Sequence, residues 1–186
     1  MLKVFGFFFC TLTLSVSATA KNLQLIDKSD TGFAIYRSGT PSANDLRQMC
    51  SLGITEIAVL SGDADVVEKK LQSHCPTLKV VYNVRQNARV TLTAKFIESF
   101  DTWVQDAQKK GKKIAFRCSC GCHRTGRLAA YYQMKYQNKT FAEAIQIMNQ
   151  YGKMMWMFPE LKPQVRGMSD YIHKQPCAVL PRFCVQ

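Results

Sequence analysis

The sequence predicts an α/β fold with a single, mainly parallel central sheet flanked by helices. Three observations predict it. Short β-rich runs alternate with segments of helical periodicity. No repeat, low-complexity tract or linker divides the chain. Hydrophobic content of 47% with only 6 prolines in 186 residues supplies a core for one domain and excludes a disordered or collagen-like polymer.

Taken in order, residues 33–36 form a first short strand, followed by the turn Ser38-Gly39-Thr40-Pro41. Ser42 then caps a helix to about residue 51, with Leu46, Met49 and Cys50 spaced i, i+3 and i+4. Gly53 ends it, and residues 54–60 read as a buried strand. Ser61-Gly62-Asp63 turns into a second helix through about residue 73, and residues 78–84 are the next strand. Thr93 caps a longer helix to about residue 110, stopped by Gly111, with Phe96, Ile97, Phe100, Trp103, Val104 and Ala107 on one face. A strand over 113–116 and helices over 125–137, 140–151 and 164–173 complete the pattern. Sites in such sheets form at the carboxyl ends of the strands, which directs attention to residues 61–65, 85–92 and 118–125.

The first twenty residues read as an export signal. Lys3 gives a positive start, residues 4–16 are mostly apolar, and Ala18-Thr19-Ala20 is a small-x-small cleavage site. Cleavage after Ala20 is expected to leave residues 21–186 as one domain with a tail from about residue 174, periplasmic or secreted. The apolar run is too short to span a bilayer, so no stable membrane insertion is expected after cleavage. Loss of the leader removes one lysine, no acid and one cysteine, taking the net charge from +12 to +11 and the cysteines from eight to seven. An odd number in an oxidising compartment implies a thiol left over after pairing. The charge implies anionic partners, with nucleic acid, anionic lipid and phosphorylated metabolites all compatible.

One loop carries chemistry. Arg117-Cys118-Ser119-Cys120-Gly121-Cys122-His123-Arg124-Thr125-Gly126-Arg127 lies between a strand and a helix. Such a loop turns successive backbone N–H groups inward at the positive end of the helix, a cradle for a phosphate-sized anion. Cys118 opens the loop, where those amides with Arg117 and Arg124 favour a nucleophilic thiolate. Arg124 can return over the loop to bind two phosphate oxygens, and the Thr125 hydroxyl can assist the sulfur as a leaving group. Cys118, Cys120, Cys122 and His123 in one tight loop diverge too much for the paired spacing zinc prefers, and the Gly-Lys-Ser/Thr ending of a nucleotide P-loop is absent. No metal and no cofactor is expected.

Cys118-x5-Arg124-Thr125-Gly126 resembles the signature of the protein-tyrosine-phosphatase superfamily, in its dual-specificity-like branch. Residues 36–42, with Leu52-Gly53-Ile54 and Val59-Leu60, are similar to the opening of bacterial members, so the resemblance spans about residues 33–150. Low-molecular-weight phosphatases and arsenate reductases share Cys-x5-Arg but carry it near the start of the domain. The resemblance implies attack by Cys118 on a phosphomonoester, a phosphocysteine intermediate and hydrolysis by water. It also implies phosphate bound by Arg124 and the loop residues Ser119, Cys120, Gly121, Cys122 and His123.

Two positions depart from the family pattern. Arg117 replaces the usual His before the nucleophile, and it either points in to favour the thiolate or away as a surface residue. The loop 85–92, where the family places an Asp general acid, contains no carboxylate. Asp63 is the first substitute, although a helix N-terminal acid is the competing reading. Asp101 is the second, although its place within the predicted helix reads as a solvated face residue, and a neighbouring phosphate of the substrate is a third source of the proton. Arg85 and Arg89 on that loop, with Arg37 and Arg127, suggest a small substrate bearing several phosphates, such as an inositol polyphosphate. Gly121-x-His123-Arg124-Thr125-Gly126 also resembles fungal and plant enzymes acting on highly phosphorylated inositols, which makes a phytase-like phosphatase the leading expectation. A protein-tyrosine or dual-specificity phosphatase is the alternative, and a phosphate-binding pseudophosphatase the third. Nucleic acid is disfavoured as a partner, and the sequence does not settle the oligomeric state.

Cys177 with Cys184 could pin the tail, and Cys50 with Cys75, each ending a predicted helix, could meet on the sheet. Cys120 and Cys122 lie where oxidation could divert Cys118. Met154-Met155-Trp156-Met157-Phe158 reads as a core or pocket-lining loop, or as a partner or membrane contact.

Overall fold

The computed structural model describes residues 22–186, and the expected leader lies outside the described residues. Five strands, β1 (Gln24–Lys28), β2 (Ala34–Ser38), β3 (Ile54–Val59), β4 (Lys79–Asn83) and β5 (Lys113–Arg117), form one sheet in the order β1-β2-β5-β3-β4. β1 runs antiparallel to β2, and every other pair is parallel. Helices α1 (Ala43–Ser51), α2 (Ala94–Lys109), α3 (His123–Tyr136), α4 (Phe141–Gln150) and α5 (Leu161–Ile172) flank it.

Local chemistry sets the helix starts. Ser42 and Asp45 make a reciprocal capping box on α1, Thr140 and Glu143 make another on α4, and Thr93 accepts from the Phe96 N–H on α2. Each cap satisfies amides that have no partner within the helix and contributes about 1 kcal/mol. β5 lies centrally and is buried on both faces. Its alternation sends Ile114 and Phe116 into a large cluster with α2 and α3, while Ala115 faces a smaller one holding Leu46, Met49, Ile57 and Val59. Phe100 of α2 meets Phe116 edge-on with centroids 5.9 Å apart and Tyr131 at 6.2 Å, so aromatic packing joins sheet to helix layer.

Four elements differ from the sequence expectation. β1 is an additional edge strand whose Asp27 interrupts the apolar pattern and whose register shifts between Leu25 and Asp27; Tyr132 anchors it by donating to Asp27 at 2.7 Å. The helix expected after Ser61-Gly62-Asp63 does not form. Residues 64–71 are irregular turns, followed by a short 3-10 turn over Gln72–His74, because the consecutive β-branched Val66 and Val67 favour helix weakly and Glu68 turns inward to Arg117. α3 begins two residues early, at His123, and α5 three residues early, at Leu161.

Disulfides join Cys50 to Cys75, tying the end of α1 to the segment before β4, and Cys177 to Cys184 in the tail. Cys118, Cys120 and Cys122 are free. The tail packs beside the start of α2, where Thr91 donates to the Phe183 carbonyl at 3.4 Å and the Ala94 N–H to the Gln186 carbonyl. Among the described residues no helix is long and apolar enough to cross a membrane.

Candidate active site

At the carboxyl end of β5 the chain turns through residues 118–122 into α3, and the turn after β2 shapes that loop. The Thr40 N–H donates to the Ser119 carbonyl at 3.0 Å. Arg37 Nη2 and Asn22 Nδ2 donate to the Gly121 carbonyl at 2.7 and 3.1 Å. The carbonyls of Ser119 and Gly121 are thereby bound by residues outside the loop, and the loop runs directly into the positive N-terminus of α3. Gly121 has φ +71°, and a Cβ there would sit 2.7 Å from the Gly39 nitrogen, so both conformation and space require glycine.

Cys118 is buried at the floor of this loop. Its thiol is lowered to about 4. The Cys120 thiol, hydrogen-bonded to the sulfur, is the largest cause; burial opposes it, and the Thr125 hydroxyl and N–H and the Arg124 charge reinforce it. Cys120 is correspondingly pushed up by its bond to Cys118. The Cys122 N–H donates to Cys120 Sγ at 3.1 Å and the Cys122 thiol to the Cys120 carbonyl at 3.3 Å, so the three sulfurs have distinct tasks. Thr125 Oγ1 is buried with no oxygen or nitrogen partner and acts on Cys118.

Arg124 folds back over the loop. Its Nη1 donates to the Leu60 carbonyl at 3.0 Å and the Gln86 carbonyl at 3.4 Å, and its Nη2 to Ser119 Oγ at 3.2 Å. It thereby joins the loops after β3, β4 and β5 around a cleft of about 480 Å³, lined by Arg85, Gln86, Asn87, Ala88, Arg89, His123, Arg124 and Phe158. His123 closes one side: its Nε2 bonds the Lys153 carbonyl at 2.7 Å and its ring lies 3.9 Å from that of Phe158.

The four arginines expected to meet substrate divide into two pairs. Arg85 is exposed on the cleft with no ion-pair partner among the described residues. Arg89 stands at the rim, but its charge is paired with Glu160 at 2.6 Å, and it also donates to the Met157 carbonyl and lies over Phe158. Arg37 and Arg127 are instead buried and reach no open surface. Arg37 braces Gly121 from behind and lies over the Tyr151 ring. Arg127 shapes the loop after β4, donating to the Val90 and Asn87 carbonyls, to Gln164 and to Gln86. Burial and the nearby Arg124 pull it down to about 10, against the opposing pull of Cys118. Both are positioning residues.

Arg117 and the two Asp positions also depart from expectation. Arg117 does not face the thiolate: it is fully buried, bonds Glu68 through two nitrogens, and reaches Ser61 and Asp63 at 2.7 Å. Asp63 is committed to that guanidinium. Burial pushes its carboxyl up, but the Ser61 hydroxyl and Arg117 outweigh this and hold it below the usual carboxylate range. An ionised, ion-paired carboxylate is the reverse of what a proton donor needs. Asp101 is neither a solvated face residue nor near the cleft. It is buried and accepts from Tyr131 and Tyr136 at 2.8 Å and from Lys135, joining α2 to α3.

Glu160, Gln164 and Glu68 carry no sequence signal, whereas Phe158 lies in the run 154–158 read as core or pocket-lining, and it lines the cleft. Phe158 belongs to the apolar run after α4, and only long-range packing places it at the cleft. Gln164 carries no motif; its role comes from donating to the Ala88 carbonyl at 3.1 Å while accepting from Arg127.

Similarities to known proteins agree with this geometry. A leucine-rich-repeat MAP kinase phosphatase of Dictyostelium discoideum is 25% identical over 131 residues, 70% of this chain. The chain spans 15% and 35% of the length of the curated relatives it matches. Among solved structures, Pseudomonas aeruginosa TpbA in complex with phosphotyrosine superposes with TM-score 0.61 at 19% identity, covering 84% of this chain and 99% of that one. The core catalytic domain of the PP-IP phosphatase SIW14 of Saccharomyces cerevisiae, in complex with citrate, gives 0.59 at 17% identity, covering 84% and 90%. These structures share the fold. The family model for the dual specificity phosphatase catalytic domain matches residues 35–170, the span that contains the sheet from β2 onward, Cys118 and Arg124, and the chain belongs to that family.

Proposed function

We propose that this protein is a cysteine-dependent phosphomonoesterase acting on inositol polyphosphates, phytase-like in its substrate. The observation that carries the chemistry is Cys118, buried at the start of the loop with its thiol lowered to about 4 and with Arg124 folded over the loop. In the first step Cys118 Sγ attacks phosphorus, the ester P–O bond breaks, and the loop amides with Arg124 hold the phosphoryl oxygens. Water then attacks the phosphocysteine, and the P–S bond breaks with Thr125 donating to the departing thiolate.

The substrate class is supported by what lines the cleft. Among the described residues its walls carry Arg85, Arg89 and Arg124 and no carboxylate, so the alkoxide leaving group receives its proton from a neighbouring phosphate of a polyphosphorylated substrate. The volume lies in the ~300–1,000 Å³ range of small-molecule sites. SIW14, described as a PP-IP phosphatase, shares the fold. Phosphotyrosine is a second substrate class, favoured by the Phe158 ring on the cleft wall. The two disulfides support the export expected from the leader, because such bonds persist in oxidising compartments.

The test is phosphate release from inositol hexakisphosphate and from a phosphotyrosine peptide, by the protein and by Cys118→Ser. Release from the inositol, abolished in Cys118→Ser, is expected; preference for the peptide overturns the substrate class, and no release from either overturns the enzyme.

A further inference from the structure

The run Met154–Phe158 divides between the site and the solvent. Phe158 faces the cleft and Met155 packs on the core, while Trp156 is 78% exposed and Met154 56%. Met154, in the left-handed region at φ 51°, leads into the 3-10 turn Met155–Met157. The projection is held at both sides, since the Lys153 carbonyl bonds His123 and the Met157 carbonyl accepts from Arg89 at 2.9 Å. Leaving a tryptophan and a methionine in water forgoes the stabilisation their burial would give. Nothing in the active-site geometry uses them.

Their surroundings are cationic. Lys153 precedes the projection, Arg89 and Arg85 lie on the cleft beside it, and Lys162 and Arg182 are exposed near its C-terminal side, with Arg182 close enough to act on Glu160. Glu160, the acid of this region, is already paired with Arg89. An indole and a thioether projecting from a rim of cations match the anionic bilayer surface: the indole sits at the headgroup level, the thioether enters the acyl boundary and the cations meet lipid phosphates. An acidic protein would satisfy the cations but leave the apolar apex without a partner. We propose that Met154–Met157 is a docking loop that seats the mouth of the cleft on an anionic membrane surface.

The proposal goes beyond the assigned chemistry and is read without turnover. The probes are vesicles of equimolar phosphatidylcholine and phosphatidylglycerol, whose phosphodiesters are not phosphomonoester substrates, and vesicles of phosphatidylcholine alone. The protein and its Trp156→Ser and Met154→Ser variants are compared in the same form, so that any contribution from residues 1–21 is common to all. Sedimentation gives the partition, and the difference in emission between the protein and Trp156→Phe isolates Trp156 from Trp103, the other of the two tryptophans.

The expected results are binding to the anionic vesicles, a blue shift of Trp156, weakening with salt, and a loss of about tenfold or more in Trp156→Ser. Hydrolysis of a small soluble aryl phosphate is unchanged in Trp156→Ser, which separates lost docking from a lost site. Equal partition of protein and Trp156→Ser overturns the proposal, as does equal binding to both vesicle types. So does a shift that follows protein concentration without lipid, as a second copy on the loop would give.

Discussion

Cys120→Ala removes the largest influence on the nucleophile and therefore tests how the thiolate is held. The Cys120 thiol donates to Cys118, and the Cys122 N–H at 3.1 Å keeps the Cys120 sulfur in place for that bond. Hydrogen bonds to charged groups contribute ~1.5–3 kcal/mol, and at about 1.36 kcal/mol per pH unit the loss moves half-ionisation of Cys118 up by roughly one to two pH units, from a starting point of about 4. The sign follows from which form loses support: the bond stabilises the thiolate, so without it the sulfur holds its proton to higher pH. The assay is the rate of alkylation of Cys118 by iodoacetamide as a function of pH, with the modified sulfur located by fragment mass and Cys118→Ser as the blank. Cys120→Ser, which retains a donor, is expected to lie between the protein and Cys120→Ala. Superimposable profiles for the protein and Cys120→Ala would refute the reasoning. Equal displacement in the Ala and Ser variants would show that the bulk of Cys120, and not its proton, sets the ionisation.

Arg85→Ala is expected to raise KM for inositol hexakisphosphate roughly five- to tenfold while changing hydrolysis of a small aryl phosphate little, since Arg85 is the cleft arginine not already paired or tied to the loop; Arg89→Ala should cost less, and steady-state kinetics on both substrates checks the order. Glu68→Gln breaks a fully buried pair with Arg117, so urea unfolding should show a loss of about 3 kcal/mol. Gly121→Ala should abolish phosphate release, because its Cβ would meet the Gly39 nitrogen at 2.7 Å and the loop must move; binding of vanadate measured by calorimetry should be lost in parallel.

Much of the fold was readable because local chemistry and packing agree. Ser42 and Thr93 cap helices where their side chains predict it, Thr140 caps the helix expected from residue 140, and the alternation of strands and helices yields the parallel sheet. β1 is not legible in the sequence because a five-residue edge strand with Asp27 inside it shows no periodicity of its own and depends on β2 for pairing. The helix expected after residue 61 fails for the opposite reason: its pattern is plausible locally, but the buried pair of Glu68 with Arg117 redirects the chain.

At the site, Cys118, Arg124 and Thr125 follow from spacing alone, since a strand-loop-helix fixes their relation. The other arginines do not, because burial of a guanidinium depends on loops remote in sequence: Arg37 reaches Gly121 across 84 positions and Arg127 reaches Gln164 across 37. Arg117 is a partial exception. Side chains alternate along β5, with Ile114 and Phe116 on one face and Ala115 on the other, so its parity already separated it from Cys118.

That parity makes the sheet a partition between two electrostatic compartments. On one side Arg117 is shared between the carboxylates of Glu68 and Asp63; on the other, Arg124, Thr125 and Cys120 act together on Cys118. Between them lies a single layer of backbone whose amides are already engaged in parallel pairing with β2 and β3. The two sides can therefore diverge separately over evolution. Exchanging the ion cluster for an apolar packing would alter how firmly the domain holds together, while the acidity of the nucleophile would keep its own setting.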